Sequence, residues 1–202
     1  MLTLFHSPQS RSTAIVALIE EMGIADKIDL RIVSIPRVDG TGARDKSNPH
    51  PEGKVPALLH AGQLITERGA IIAHLCGLFP DSGLSPAPFT PDWGVFLGWL
   101  SWYQGVLEPV MIHEFAGLSH PALTATFRDH KTAVARIRAA LETSPWLMGE
   151  TFSAADLLVH APYAWFRDAT PDDPLIRDWV ERCMARPARL RALEQDAALR
   201  AA

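Results

Sequence analysis

The stretch Gly53-Lys54-Val55-Pro56-Ala57-Leu58, followed eight residues later by Thr66-Glu67-Arg68-Gly69-Ala70-Ile71, decides the fold. A Val-Pro step just before an apolar strand can place a cis proline beside a ligand and leave the Val55 N–H and C=O to pair with an extended peptide. The second segment puts an acidic group and backbone donors at a helix start, where an anionic group is welcome. Between them, 56–60 and 63–65 read as a hairpin turning at Ala61-Gly62. Glu67 to Phe79 reads as a helix with Ile71, Ile72, Leu75 and Leu78 on its buried face.

Upstream of the Val-Pro step, Leu2 to Phe5 is a short apolar run that ends at the turn His6-Ser7-Pro8-Gln9. From Ser10 to Met22, Ile15, Leu18, Ile19 and Met22 fall at helical spacing, and Gly23 supplies the stop. Ile28, Leu30 and Ile32 alternate with polar neighbours, as a half-buried strand does. The proline-rich and charged stretch 36–51 is a loop. The order β-α-β, loop, β-β-α predicts a thioredoxin-like α/β unit over residues 1–79.

Four prolines in 80–91 mark a linker. Thr90-Pro91 then reads as an N-cap with proline in the first helical turn, opening an all-helical C-terminal domain over 92–202. Its expected helices are Asp92 to Gly117 with a kink at Pro109, Ala122 to Leu141, Ser153 to Ala164, Pro174 to Arg186 and Pro187 to Leu199. Ser153 and Asp156 have capping-box spacing, with Phe152 and Leu157 placed for a hydrophobic staple.

Composition narrows the function classes. The chain has 202 residues, is 48% hydrophobic and carries a net charge of −4. That charge gives no electrostatic footprint for nucleic acid. Cys76 and Cys183 stand apart from any CxxC pair, which disfavours a zinc site and dithiol redox chemistry. With no leader pattern and no run of about 20 apolar residues, a cytoplasmic protein without a membrane span is expected.

The turn Ser7-Pro8-Gln9-Ser10-Arg11-Ser12 lies where helix N–H groups and the dipole favour a thiolate. The Ser10 hydroxyl can hydrogen-bond that sulfur, and Arg11 adds positive charge. The same residues also suit ordinary N-caps and a solvated cation. Glu67 can pair with an α-amino group while the N–H groups of Arg68 and Gly69 receive a carboxylate; a plain helix start explains the segment equally.

The Ser-Pro-x-Ser turn, Asn48-Pro49 through Leu58, Glu67 with Ala70-Ile71, and Gly149-x-x-Phe152-Ser153-x-x-Asp156 occur in the order and spacing of one family. The chain resembles a cytosolic glutathione transferase of the bacterial kind over nearly its whole length. The resemblance implies that Val55, at the Pro56 step, bonds the cysteinyl backbone of glutathione, that Glu67 and Arg68 hold its γ-glutamyl end, and that Lys54 lies near the glycyl carboxylate. Ser10 or Arg11 would face the sulfur. It also implies detoxification chemistry on a small hydrophobic electrophile, glutathione as co-substrate with no metal, and a homodimer. A glutathione-dependent isomerase or dehalogenase, and a non-catalytic binding module, fit the same landmarks.

Two departures stand out. The family usually has Ser after Glu67, where this chain has Arg68, and many bacterial members have Cys where it has Arg11. The second departure excludes an enzyme–glutathione disulfide at that position. For the acceptor pocket, the first long helix offers Trp102, Tyr103 and Val106, beside Trp99 and His113, with Trp165 further on. Packing as bundle core accounts for most of these aromatics, and His113 is assigned no catalytic role.

Overall fold

Strand β1 (Leu2–His6) alternates buried and half-buried residues, as a strand with one face on a core does. A computed structural model, in which residues 1–201 are described, places β1 at the centre of a four-stranded sheet. The others are β2 (Ile28–Ile32), β3 (Ala57–His60) and β4 (Gln63–Thr66), in the order β2-β1-β3-β4. β1 runs parallel to β2, with Leu4 opposite Leu30, and antiparallel to β3, with Leu4 opposite Leu58. The β3–β4 hairpin turns on Ala61 and Gly62, both at positive φ (50° and 82°), the signature of a type I′ turn.

Helix α1 (Thr13–Met22) buries Ile15, Val16, Leu18 and Ile19, and stops at Gly23, whose left-handed φ of 64° suits glycine. Helix α2 (Arg68–Leu78) buries Ile71, Ile72 and Leu75. This is the thioredoxin-like α/β unit, and an all-helical unit accompanies it.

The helical unit opens with α3 (Pro91–Trp102), whose N-cap Thr90 accepts the Trp93 N–H at 3.3 Å. The expected kink appears as a π-helical turn, Tyr103–Leu107, ahead of α4 (Glu108–Phe115). Pro109 has no N–H and its ring crowds the carbonyl four residues back, so the ladder widens before it. The single helix expected over 122–141 is two: α5 (Pro121–Phe127) and α6 (His130–Leu141). Arg128 breaks it at φ 65°, and Asp129 starts a new helix by accepting the Thr132 N–H at 2.7 Å. The stretch expected as one helix over 153–164 likewise divides into α7 (Ala154–Val159) and α8 (Ala161–Trp165), beside Pro162, before α9 (Pro174–Met184).

The capping box at Ser153 and Asp156 is present, and Asp156 reaches well beyond it. Its fully buried carboxylate accepts the Ser153 N–H (3.0 Å) and hydroxyl (2.7 Å), the Leu147 N–H (2.8 Å) and the Trp179 indole N–H (2.9 Å).

The last helix, α10 (Pro187–Ala201), corrects the expectation that 92–202 is one all-helical domain. The chain divides into one unit of Met1–Ser82 with the segment from Arg186 onward, and another of Gly83–Ala185. α10 packs along α1. Arg186 forks onto the Glu21 carboxylate (2.6 and 2.7 Å) and Arg191 meets Glu20 at 2.8 Å. Part of the expected linker 80–91 also belongs to the helical unit: Leu84 is buried and its carbonyl accepts the Ala154 N–H at 2.8 Å.

Asp156→Ala is expected to cost upward of about 3 kcal/mol, because it strands several buried donors. Ser153→Ala is expected to cost about 1 kcal/mol. Urea unfolding of both variants checks the ordering, and an Asp156→Ala protein as stable as wild type would contradict it.

Candidate functional site

The loop that leads into β3 is held by its own polar groups. Asn48 Nδ2 donates to the Lys54 carbonyl (3.0 Å), Asn48 Oδ1 accepts the His50 N–H (3.0 Å), and Gly53 N–H donates to the His50 carbonyl (2.9 Å). Gly53 sits at φ 66°, and a Cβ there would meet Arg44 Cγ at 3.1 Å. This frame delivers a cis Val55-Pro56 bond with Val55 buried.

Glu67, at φ 70° and ψ 127°, ends β4 and caps α2 from an unusual backbone region for a residue with a Cβ. Its side chain is exposed, whereas the next residue, Arg68, is only 5% exposed. Arg68 therefore carries its guanidinium into the protein, and the N–H groups at the start of α2 are the donors this segment presents. Exposed Lys54 pairs with Glu52. That hydrogen bond raises the Lys54 pKa above its ordinary value of 10.5, with smaller influences from Glu67 (raising) and Arg11 (lowering). Lys54, Glu67 and Arg11 thus share one electrostatic neighbourhood.

Ser10 lies in the turn between β1 and α1, half-buried, beside exposed Arg11. Its hydroxyl donates to the Ser7 carbonyl at 2.7 Å and lies 2.8 Å from the Ser12 hydroxyl. Ser12 offers α1 no side-chain cap. It is fully buried and touches His6 Nδ1 at 2.7 Å instead.

Three further residues hold this turn, and the motif pattern gives no sign of them. His6 Nε2 meets Asp196 Oδ1 at 2.8 Å, and neither side chain is exposed at all. Asp196 Oδ2 accepts the Gln9 N–H (2.5 Å) and the Thr13 hydroxyl (2.6 Å). Burial alone would raise the Asp196 carboxyl, but the donors from His6, Thr13 and Gln9 outweigh it and hold it below its ordinary 3.8. Arg37 closes the other side, donating to the Gln9 carbonyl (3.0 Å), the Ser7 hydroxyl (3.0 Å) and the Pro8 carbonyl (2.7 Å). The available signal was periodicity: His6 continues the buried positions Leu2 and Leu4, and Asp196 continues Ala188 and Ala192.

In the helical unit, Tyr103 and Val106 fall on the π-helical turn. Tyr103 is buried, while Trp102 and Val106 are half-buried. Trp99 and Trp102 meet edge to face at 5.5 Å, and the Arg136 guanidinium lies 4.7 Å from both ring centres. Trp165 is half exposed, and His113 packs at a tilt against Phe127, ring centres 5.6 Å apart. No helix among the described residues is long and apolar enough to cross a membrane.

Residues 104–187 match the family model for the glutathione S-transferase C-terminal domain. A glutathione transferase from Methylococcus capsulatus superposes with a TM-score of 0.78 at 28% identity, covering 98% of this chain and all of that one. The chain is thus similar to glutathione S-transferases over nearly its whole length. A sphingomonad glutathione S-transferase complexed with glutathione superposes with a TM-score of 0.76 at 26% identity, covering 96% of this chain and 98% of that one. A disulfide-bond oxidoreductase of Escherichia coli, YfcG, is 26% identical over 96% of this chain and 94% of its own length. A glutathione-transferase-like function follows at that coarse level.

Two outcomes test the physics of this site. Gly53→Ala should destabilise the protein by about 1–2 kcal/mol in thermal melts, since it combines a left-handed φ with contact against Arg44. The Asp196 carboxyl, depressed on folding, adds stability fully above its ordinary value of 3.8 and loses it as pH falls through the folded value. Wild type and Asp196→Asn should therefore converge in stability as urea titrations move below pH 3.8, and a constant gap down to the acid limit would contradict the assignment.

Proposed function

We propose that this protein binds reduced glutathione on its α/β unit, stabilises the thiolate and conjugates it to a small hydrophobic electrophile. The observation that carries the reading is the pairing of Val55 before a cis proline with the α2 start at Glu67-Arg68. An extended peptide would pair with the Val55 backbone, its α-amino group would meet Glu67, and its γ-glutamyl carboxylate would take the Arg68 and Gly69 N–H groups. The exposed Lys54 ammonium suits the glycyl carboxylate. The buried Arg68 side chain adds positive potential from behind rather than a direct fork.

In this reading Ser10 is the hydroxyl that faces the sulfur, with Arg11 contributing charge. Both cysteines are buried, Cys76 in α2 and Cys183 in α9, so the reactive thiol is glutathione's own. Trp102, Tyr103 and Val106 supply apolar surface for the electrophile. Conjugation then needs only a deprotonated sulfur held near its target. A cytoplasmic homodimer acting in detoxification is the setting that the family resemblance favours.

The resemblance to a disulfide-bond oxidoreductase favours a second reading on the same site. Two glutathiones would reduce one disulfide substrate, giving glutathione disulfide and two thiols, with no enzyme cysteine in the cycle.

Retention on glutathione-agarose and turnover of a chlorinated aromatic electrophile test the first reading. Ser10→Ala is expected to lower conjugation about tenfold or more while glutathione affinity stays within a few-fold. Glu67→Gln is expected to weaken glutathione binding about tenfold by calorimetry. A fully active Ser10→Ala beside an inactive Arg11→Ala would transfer the sulfur role to Arg11. Turnover of a dialkyl disulfide without conjugation would select the second reading.

A further inference from the structure

We propose that the proton leaving the glutathione thiol is taken up by His6 through a wire of two serine hydroxyls, Ser10 and Ser12, with Asp196 holding the imidazole for that task. This rests on the reading that the thiol sits at Ser10. Each link is within hydrogen-bond reach: Ser10 Oγ to Ser12 Oγ is 2.8 Å, Ser12 Oγ to His6 Nδ1 is 2.7 Å, and His6 Nε2 to Asp196 Oδ1 is 2.8 Å.

The chemistry of the groups fixes where the protons lie. Both Asp196 oxygens accept hydrogen bonds, from His6 on one side and from Gln9 N–H and the Thr13 hydroxyl on the other. An ionised carboxylate can only accept, so His6 Nε2 carries a hydrogen. In neutral His6 the Nδ1 lone pair then faces Ser12 Oγ, and Ser12 donates to it. Ser12 Oγ is left to accept, from the Ser7 N–H at 3.2 Å and from Ser10. Ser10 has one proton and two inward acceptors, the Ser7 carbonyl and Ser12 Oγ. In this resting arrangement the Ser10 hydroxyl points away from a bound sulfur.

Reversing the wire makes it a thiolate donor. The S–H bond breaks and its proton passes to Ser10 Oγ. The Ser10 proton passes to Ser12 Oγ, and the Ser12 proton forms a new bond to His6 Nδ1. Each hydroxyl gives one proton and receives one; the products are a thiolate and an imidazolium. Ser10 now donates to the sulfur, Ser12 donates to Ser10, and the imidazolium faces the Asp196 carboxylate.

The surrounding charges permit this. Asp196 approaches from α10; Arg37, from the segment after β2, touches the Ser7 hydroxyl and the Pro8 and Gln9 carbonyls. Arg200 meets the Gln9 side chain, and Arg11 is exposed in the same turn. Within the sheet His6 pairs with the uncharged Ile32, and β3 ends its pairing at Phe5. Among the charged side chains of the described residues, Asp196 is the one hydrogen-bonded to the imidazole, whose other nitrogen meets Ser12. His6 and Asp196 are positioning residues in this scheme, because they act through the serines.

The ¹⁵N resonances of the His6 ring, followed as glutathione is added at neutral pH, test the wire without relying on turnover. In wild type, His6 should change from a neutral Nε2–H ring to one protonated on both nitrogens as thiolate ultraviolet absorbance appears. A free thiol of pKa ~8.5 is only about 3% ionised at pH 7, so an effective wire raises the bound thiolate at least tenfold above that. Ser12→Ala should bind glutathione within about threefold of wild type, yet show neither the His6 change nor the thiolate absorbance. Asp196→Asn, where it folds, should shift the thiolate titration to higher pH. Thiolate formation in wild type with His6 remaining neutral would overturn the wire, as would a Ser12→Ala protein that ionises glutathione like wild type. Absence of any glutathione binding by wild type would remove the proposed function along with it.

Discussion

The buried carboxylate of Asp196 is the constraint on which the α/β unit depends. It joins the last helix to the first strand across 190 residues of sequence, through His6. It also fixes the start of α1, by accepting from the Gln9 backbone and the Thr13 hydroxyl. A carboxylate taken from water costs several kcal/mol unless every lone pair is used. Here the donors come from the turn itself, so the conformation that satisfies Asp196 is also the one that presents Ser10. Ion pairs of Arg186 and Arg191 with Glu21 and Glu20 guide α10 along α1, but they are partly exposed and contribute less.

The helical unit uses the same device independently. Asp156 is as buried as Asp196 and gathers donors from Leu147, Ser153 and Trp179. Burial pushes its carboxyl upward while those donors pull it down, whereas in Asp196 the donors prevail. Two things differ: Asp156 lies deeper among the protein's atoms, and its partners are all neutral. Asp196 faces an imidazole that can carry charge, and Asp156 faces only neutral donors, so one site suits proton movement and the other is architectural.

Much of the fold was legible because its signals are local. The β1, α1, β2 and hairpin patterns, the Thr90-Pro91 start and the Ser153–Asp156 box all rest on residues within a few positions of one another. The failures have equally specific causes. Asp129 initiates a helix inside a continuous apolar pattern, and Pro109 loosens the preceding turn instead of bending the helix at its own position. Amphipathicity shows that α10 packs, not against what, so the sequence alone groups it with the helices before it. For the site, Ser10, Lys54, Val55 and Glu67 stood out through motif order. His6 and Asp196 did not, because each is an ordinary polar residue until the fold brings the two together. Their position on otherwise apolar stripes, after Leu4 and after Ala192, was the available sign that each had a buried partner.

The proposed wire gives a physical reason why a chain lacking a cysteine at this turn could still serve thiol chemistry. A cysteine there would supply its own sulfur; a serine can only manage the ligand's. Managing it requires a place for the displaced proton, and a lone serine facing solvent offers none better than water. In the proposed wire, the buried His6–Asp196 pair provides one within two hydroxyls of the surface. In the same scheme, exposed Arg11, at the alternative position for a cysteine, would contribute positive potential rather than chemistry. The division of labour is physical: charge at the surface steers and stabilises an anion, while a buried, fully satisfied pair holds the proton that made it.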